Sequence, residues 1–212
     1  MSVQRRTSTS YVDLSHLRRR TSTSWVDLQF LRRRTSTGWV DIWPPESAEQ
    51  TYSVTHTFTT VSADAWRLPG DFSTGWRGNN IAYHGGVSNN HKALWLYGNI
   101  ANLGPGAGVQ RTATSGRIRL YGGNTYSGTR TVVLRPHNYI TRPSGEPAYQ
   151  SGTRSYNLPS RAWTWVENLS TTWLNNILNG NARGIGAYTT TTNQYVELHA
   201  NSHIEISYTY TE

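Results

Sequence analysis

The chain has 212 residues, no cysteine and a formal charge of +8. Without thiols there is no disulfide framework, no thiolate metal site and no cysteine nucleophile, so stability must come from packing and assembly. The basic residues form no dense stripe beyond residue 50, where they are spread singly, and this pattern speaks against a nucleic-acid-binding protein.

The first forty-odd residues repeat one phrase three times with a period of fourteen: Arg5 to Leu14, Arg19 to Leu28 and Arg33 to Ile42. Arg-Arg-Thr-Ser-Thr is identical in each copy. An aromatic (Tyr11, Trp25, Trp39), then Val-Asp, then an aliphatic (Leu14, Leu28, Ile42) follow. A repeat this short gains its core only by stacking on neighbours. Thr-Ser-Thr is poor helix material, whereas Trp-Val-Asp-Leu alternates and is rich in strand formers. The three copies therefore read as a β-meander of hairpins, with Leu17 to Arg20 facing Trp25 to Leu28 across a turn at Thr21 to Ser24. Gly38, where the other copies have Ser10 and Ser24, suits a hairpin end that needs positive φ.

A lone two-stranded ribbon is marginal in water and has two open edges. The expected remedy is a closed oligomer, taken as a homotrimer by analogy with fibrous β-shafts. Tyr11, Val12, Leu14, Trp25, Val26, Leu28, Trp39, Val40 and Ile42 are its assembly residues. The arginine runs could alternatively be a nucleic-acid patch, a localisation signal or a kinase site. Their locked register with Trp-Val-Asp-Leu favours a folded ladder with a solvated charged face.

Arg19-Arg20…Trp25-Val26-Asp27 and Arg33-Arg34…Gly38-Trp39-Val40-Asp41 resemble the hairpin repeats of siphovirus minor tail proteins and tail-tip fibres. The first copy departs from that pattern in having Tyr11 for Trp, as a capping repeat would. The resemblance implies a virion tail protein, extracellular after lysis, with other tail-tip proteins and a host envelope polysaccharide or teichoic-type polymer as partners. Residues 1 to 43 carry no long apolar stretch, so no export leader is expected, and no segment is long enough for membrane insertion.

Pro44 and Pro45 break the repeat, and residues 44–50 read as a linker to a second domain spanning 51–212. Strands are predicted over Tyr52–Val61, Asn80–Tyr83, Ala93–Tyr97, Gly116–Tyr121, Arg130–Arg135, Arg154–Leu158, Gly184–Tyr188, Gln194–His199 and His203–Tyr210. The first puts Tyr52, Val54, His56 and Phe58 on one face; the last does the same with Ile204, Ile206, Tyr208 and Tyr210. His84 to His91 reads as a long hairpin-like loop. Ser170 to Gly180 reads as a helix with a Ser N-cap and a glycine stop, its Trp173, Leu174, Ile177 and Leu178 on one face. The fold class is all-β: an N-terminal hairpin-repeat shaft, then a jelly-roll-like β-sandwich with one short helix. Trp173 to Tyr208 also resembles the end of DNRLRE-like β-sandwich modules of cell-wall-associated and phage tail proteins, through Trp173…Gly180, Arg183-Gly184-Ile185-Gly186 and Ile204-Glu205-Ile206-Ser207-Tyr208.

No catalytic constellation emerges. The acids beyond residue 50 form no close pair in a loop setting suited to glycoside hydrolysis, and there is no Gly-x-Ser-x-Gly elbow or phosphate-cradling loop. His199 and His203 are separated by a turn between strands, unlike a helical zinc pair, and no metal or other cofactor is expected. Sandwich heads bind through loops, which leaves Trp76, Arg77, Asn89, Asn90, Tyr139 and Arg142 as a candidate glycan site. An aromatic stacks on a sugar ring, Asn bonds vicinal hydroxyls and Arg meets a phosphate or uronate. The competing expectation is that Trp76 plugs the core and Arg142 is solvated. The alternative function is a carbohydrate-binding module of a bacterial surface or secreted assembly; an envelope depolymerase is disfavoured by the scarcity of acids.

Overall fold

The computed structural model describes residues 4–6, 11–13, 18–20, 25–27, 31–43, 49–70, 73–86, 90–191 and 194–212. The chain divides into two compact units, Met1–Gln50 and Thr51–Glu212.

In the first unit each copy of the phrase forms an antiparallel pair: β1 (Gln4–Arg6) with β2 (Tyr11–Asp13), β3 (Arg18–Arg20) with β4 (Trp25–Asp27), and β5 (Leu31–Thr35) with β6 (Gly38–Trp43). Among the described residues these are three separate two-stranded sheets rather than one meander, because no strand of one hairpin pairs with a strand of the next. The register repeats with the sequence. Arg5, Arg19 and Arg33 stand opposite Val12, Val26 and Val40, while Arg6, Arg20 and Arg34 stand opposite Tyr11, Trp25 and Trp39. Arg18 and Arg32 fall opposite Asp27 and Asp41, the cross-strand placement in which opposite charges assist pairing. In the third hairpin the turn is Ser36-Thr37, closed by the Thr35 hydroxyl, which donates to the Gly38 carbonyl at 2.9 Å. Gly38 sits at φ +148°, a conformation that favours glycine. The register shifts between Leu31 and Arg32, leaving Ile42 opposite no residue. Leu14, Leu28, the Thr21–Ser24 turn and Pro44-Pro45 lie outside the described residues; for the other assembly residues only the backbone register is described.

The second unit is an antiparallel β-sandwich. Its strands are β7 (Thr51–Thr59), β8 (Ser62–Arg67), β9 (Gly75–Trp76), β10 (Ala82–His84), β11 (His91–Leu96), β12 (Arg111–Gly122), β13 (Thr129–His137), β14 (Arg154–Pro159), β15 (Ala162–Val166), β16 (Gly184–Ala187), β17 (Val196–Leu198) and β18 (His203–Thr211). The first sheet runs β10-β17-β12-β18-β7, with β15 on the free edge of β12; the second runs β14-β13-β16-β11-β8-β9. β17 and β18 form one interrupted lane along β12. Ile118 faces Ile204, Arg119 faces His203, and after the break at Ala200–Ser202 Gly122 faces Leu198.

Alternation decides which side of each strand enters the core. Phe58, Ile118, Leu120, Val166, Leu198, Ile204 and Ile206 of the first sheet meet Ala93, Trp95, Val132, Leu134 and Ile185 of the second. The predicted faces of β7 and β18 are the observed ones. One α-helix is present among the described residues, α1 (Thr171–Leu178); it buries Trp173, Leu174, Ile177 and Leu178 and packs Leu174 against Gly116 of β12. Ser170 occupies the N-cap position without a side-chain capping bond, and Gly180 at φ +82° follows the C-cap. No described helix is long and apolar enough to cross a membrane.

The connection from His84 to His91 is not a hairpin. β10 belongs to the first sheet and β11 to the second, so this segment crosses between layers. Residues 138–153, between β13 and β14, lie as a strap over the outer face of the second sheet. Tyr149 Oη donates to the Ala93 carbonyl at 2.8 Å, Lys92 Nζ meets Glu146 at 2.6 Å, and Gln150 N bonds the Pro136 carbonyl at 2.9 Å. Burial pushes the Tyr149 hydroxyl well above its ordinary pKa.

Candidate functional site

The loop residues that the sequence nominates do not form one cluster. Trp76 and Arg142 come together, with the guanidinium carbon 5.7 Å from the indole centroid. Their polar ends are already engaged: Trp76 Nε1 donates to the Pro143 carbonyl at 2.9 Å, and Arg142 Nη1 donates to Asp64 Oδ2 at 2.6 Å. Asp64 also accepts from the backbone of Ala65 (2.8 Å) and Gly78 (3.0 Å). Trp76 meets Trp66 edge-on at 5.5 Å. Neither competing expectation holds in full, since Trp76 is half-buried and Arg142 is ion-paired.

Arg77 belongs to a neighbouring group. Its guanidinium lies 4.1 Å over the Tyr83 ring, and its Nη1 is 3.2 Å from His91 Nε2. Tyr83 stacks on Tyr195 at 5.7 Å, and burial raises the Tyr195 pKa. Asn90 donates through Nδ2 to the Thr190 carbonyl at 3.4 Å, while its buried Oδ1 accepts no hydrogen bond among the described residues. Tyr139 is on the strap, where its hydroxyl accepts from Ala148 N at 2.9 Å. Asn89 lies outside the described residues.

The outer face of the first sheet carries aromatic and basic groups on strands rather than in loops. β15 was not predicted, yet Ala162-Trp163-Thr164-Trp165-Val166 alternates, and that period of two puts both indoles on one side. The register sets Trp163 opposite Tyr121 and Trp165 opposite Arg119. Trp163 lies 5.2 Å from Tyr121 and 5.6 Å from His199, which in turn is 6.0 Å from Tyr121. Arg119 stands 4.7 Å over Trp163 and Arg117 stands 4.3 Å over Trp165. Arg117 is also paired with Glu205 at 2.8 Å and Glu167 at 3.3 Å, which raise its pKa.

Beside the Tyr121 ring is a cleft of about 450 Å³, lined by the Asn79–Ile81 loop, Tyr121, Gly123, Glu197 and His199–Asn201. A second, of about 640 Å³, lies between Gln150–Gly152 and the start of α1, and a third, of about 330 Å³, between Ala101–Asn102 and Gln110. No group of three His, Cys, Asp or Glu side chains able to hold a metal ion occurs among the described residues. The aromatic, basic and amide groups of this surface suit stacking and hydrogen bonding to a polyhydroxylated ligand.

No protein-family model and no curated protein matches the chain.

Proposed function

We propose that this protein is a non-enzymatic virion component of a phage's distal tail, a minor tail protein or tail fibre, that attaches the particle to the host surface. In this reading the hairpin unit assembles with copies of itself, as a homotrimer, and with other tail-tip proteins. The sandwich meets an envelope polysaccharide or teichoic-type polymer. One observation carries the reading: the Arg-Arg…Trp/Tyr-Val-Asp phrase folds three times into the same hairpin in the same register, in a unit separate from the sandwich. Serial marginal hairpins are economical in a structural shaft, where identical chains supply the missing packing, and have no evident use in a soluble catalyst.

The exposed aromatic face favours a second reading, a carbohydrate-binding module of a bacterial surface or secreted assembly with no virus involved. Mass spectrometry of density-purified virions, with antibody labelling seen by electron microscopy, separates the two. The tail reading expects the chain in virions and label at the tail tip. Absence from virions made by a producing lysate overturns it.

A further inference from the structure

We infer that the 450 Å³ cleft beside Tyr121 is a binding site for a neutral pyranose unit of a glycan, with Tyr121 as its aromatic wall, Trp163 just outside the lining and packed against Tyr121 and His199, and Asn79, Glu197, His199 and Asn201 as its polar lining. The assignment rests on the attachment reading only for the source of that glycan.

Trp163, packed against the lining residues Tyr121 and His199, is 40% exposed, makes no hydrogen bond through its indole nitrogen among the described residues, and is not part of the core cluster. Its ring is partly covered by Arg119, Tyr121 and His199, and the remaining apolar surface next to hydroxyl-bonding groups matches a sugar, which has one C–H face and a rim of hydroxyls.

The polar groups of the lining are held in place with bonding capacity to spare. Asn201 N donates to His199 Nδ1 at 3.1 Å, which selects the tautomer with hydrogen on Nε2 and leaves that donor for a ligand. Gly123 N donates to the Glu197 carbonyl at 2.8 Å, and Glu197 N to the Thr125 hydroxyl at 3.2 Å, so the backbone is fixed beneath a carboxylate that has no ion pair or hydrogen bond of its own among the described residues. Asn80, at φ +53°, spends its side chain on Ala63 N at 3.0 Å and so anchors the loop that presents Asn79. Asn79 gives one hydrogen to the Tyr83 hydroxyl at 3.2 Å and keeps its carbonyl oxygen. A lining whose backbone is committed and whose side-chain tips are not is preorganised for a ligand.

Charge points the same way: Glu197 is the one ionisable acid in the lining, which holds no guanidinium, and Arg119 lies outside it over Trp163. A uronate or a phosphate-linked polymer would meet Glu197 with no cation in the lining to offset it, whereas vicinal hydroxyls donate to a carboxylate. The cleft falls within the ~300–1,000 Å³ typical of small-ligand sites. The two other clefts lack such a wall. The only aromatic in the larger one, Trp173, is buried in the core, and the smaller has none.

The test is calorimetric titration of the full chain with neutral oligosaccharides (β-linked glucose, galactose and N-acetylglucosamine oligomers) and, separately, with oligogalacturonate and a glycerol-phosphate polymer. Trp163→Ala, His199→Ala and Glu197→Gln stand beside the parent, with circular dichroism and melting curves confirming the fold. The expected result is binding of a neutral oligomer, weakened about tenfold or more by Trp163→Ala and several-fold by the other two, with unchanged melting. Preference for the anionic polymers, equal binding by all variants, or no binding to any neutral oligomer overturns the assignment. Adsorption of the parent and Trp163→Ala to host cells tells the two readings apart. Equal adsorption by a virion-associated chain removes the cleft and keeps the tail reading, while a chain missing from virions that still binds neutral oligomers does the reverse.

Discussion

Arg142 Nη1 lies 2.6 Å from Asp64 Oδ2, and the two ends of that bond live in different surroundings: the Asp64 side chain is 7% exposed and that of Arg142 is 50% exposed. The pair joins the strap over the second sheet to β8. Removing Arg142 leaves a buried carboxylate with backbone donors alone, from Ala65 and Gly78. Arg142→Ala is therefore expected to destabilise the sandwich by about 1–2 kcal/mol, at the low end for buried pairs because the arginine is half solvated. The check is amide hydrogen exchange over residues 138–153. Protection should fall there first, and an unchanged exchange pattern counts against the pin.

His84 and His137 set the response to acid. Val133 N donates to His84 Nε2 at 3.1 Å, so Nδ1 carries the hydrogen given to the Gln194 carbonyl. Tyr139 N donates to His137 Nδ1 at 3.2 Å, so Nε2 serves the Trp95 carbonyl. Each ring is needed as donor and acceptor at once, and burial lowers both pKa values to about 4. The unfolded chain, with histidines near 6.5, binds more protons between pH 6.5 and 4. Stability is then full above pH 6.5 and falls as pH drops toward 4, by up to roughly 3 kcal/mol per histidine. Denaturant midpoints across pH 4–8 test this, and His84→Gln with His137→Gln should flatten the slope.

Arg111 is a buried guanidinium held by carbonyls. It donates to Leu103 (2.8 Å), Ala101 (2.6 Å) and Leu178, and stands 5.5 Å over the Tyr208 ring. Leu178 ends α1, so the charge also meets the negative pole of that helix. Lysine keeps the charge but lacks the fork that spans several acceptors. Arg111→Lys is expected to cost about 2–4 kcal/mol, and Arg111→Met to cost as much through unsatisfied carbonyls. Urea unfolding that matches the parent would contradict the arrangement.

For the hairpins, Val26 stands opposite Arg19 in the middle repeat. Val26→Asp or Trp25→Ala should convert the expected trimer to smaller species while the sandwich melts as before. Light scattering that gives a monomer for the parent at micromolar concentration would rule out the trimer.

Local pattern made much of this architecture legible. The fourteen-residue period predicts the hairpin register because cross-strand pairing repeats whenever the residues that specify it repeat. Alternation in Tyr52 to Phe58 and Ile204 to Tyr208 identifies the two strands that pair at the sheet edge, since a half-buried strand writes its burial into every second residue. Helix α1 was visible from its apolar spacing and Gly180.

What the tertiary structure alone decided is pairing across distance and, with it, which polar groups remain free. β8 escaped notice because Ala63, Asp64 and Ala65 are buried together and leave no period of two. His84 to His91 looks like a hairpin locally, yet its flanking strands find partners in different sheets. Trp76 and Arg142 have the residue types of a sugar site, but their hydrogen-bonding atoms are taken by Pro143 and Asp64, 67 and 78 positions away in sequence. Trp163 has no such partner for its indole nitrogen among the described residues. Residue type and period are local properties that a sequence displays directly. Whether a donor or an aromatic face is left over for a ligand depends on long-range contacts, and those exist only once the sheets have closed on each other.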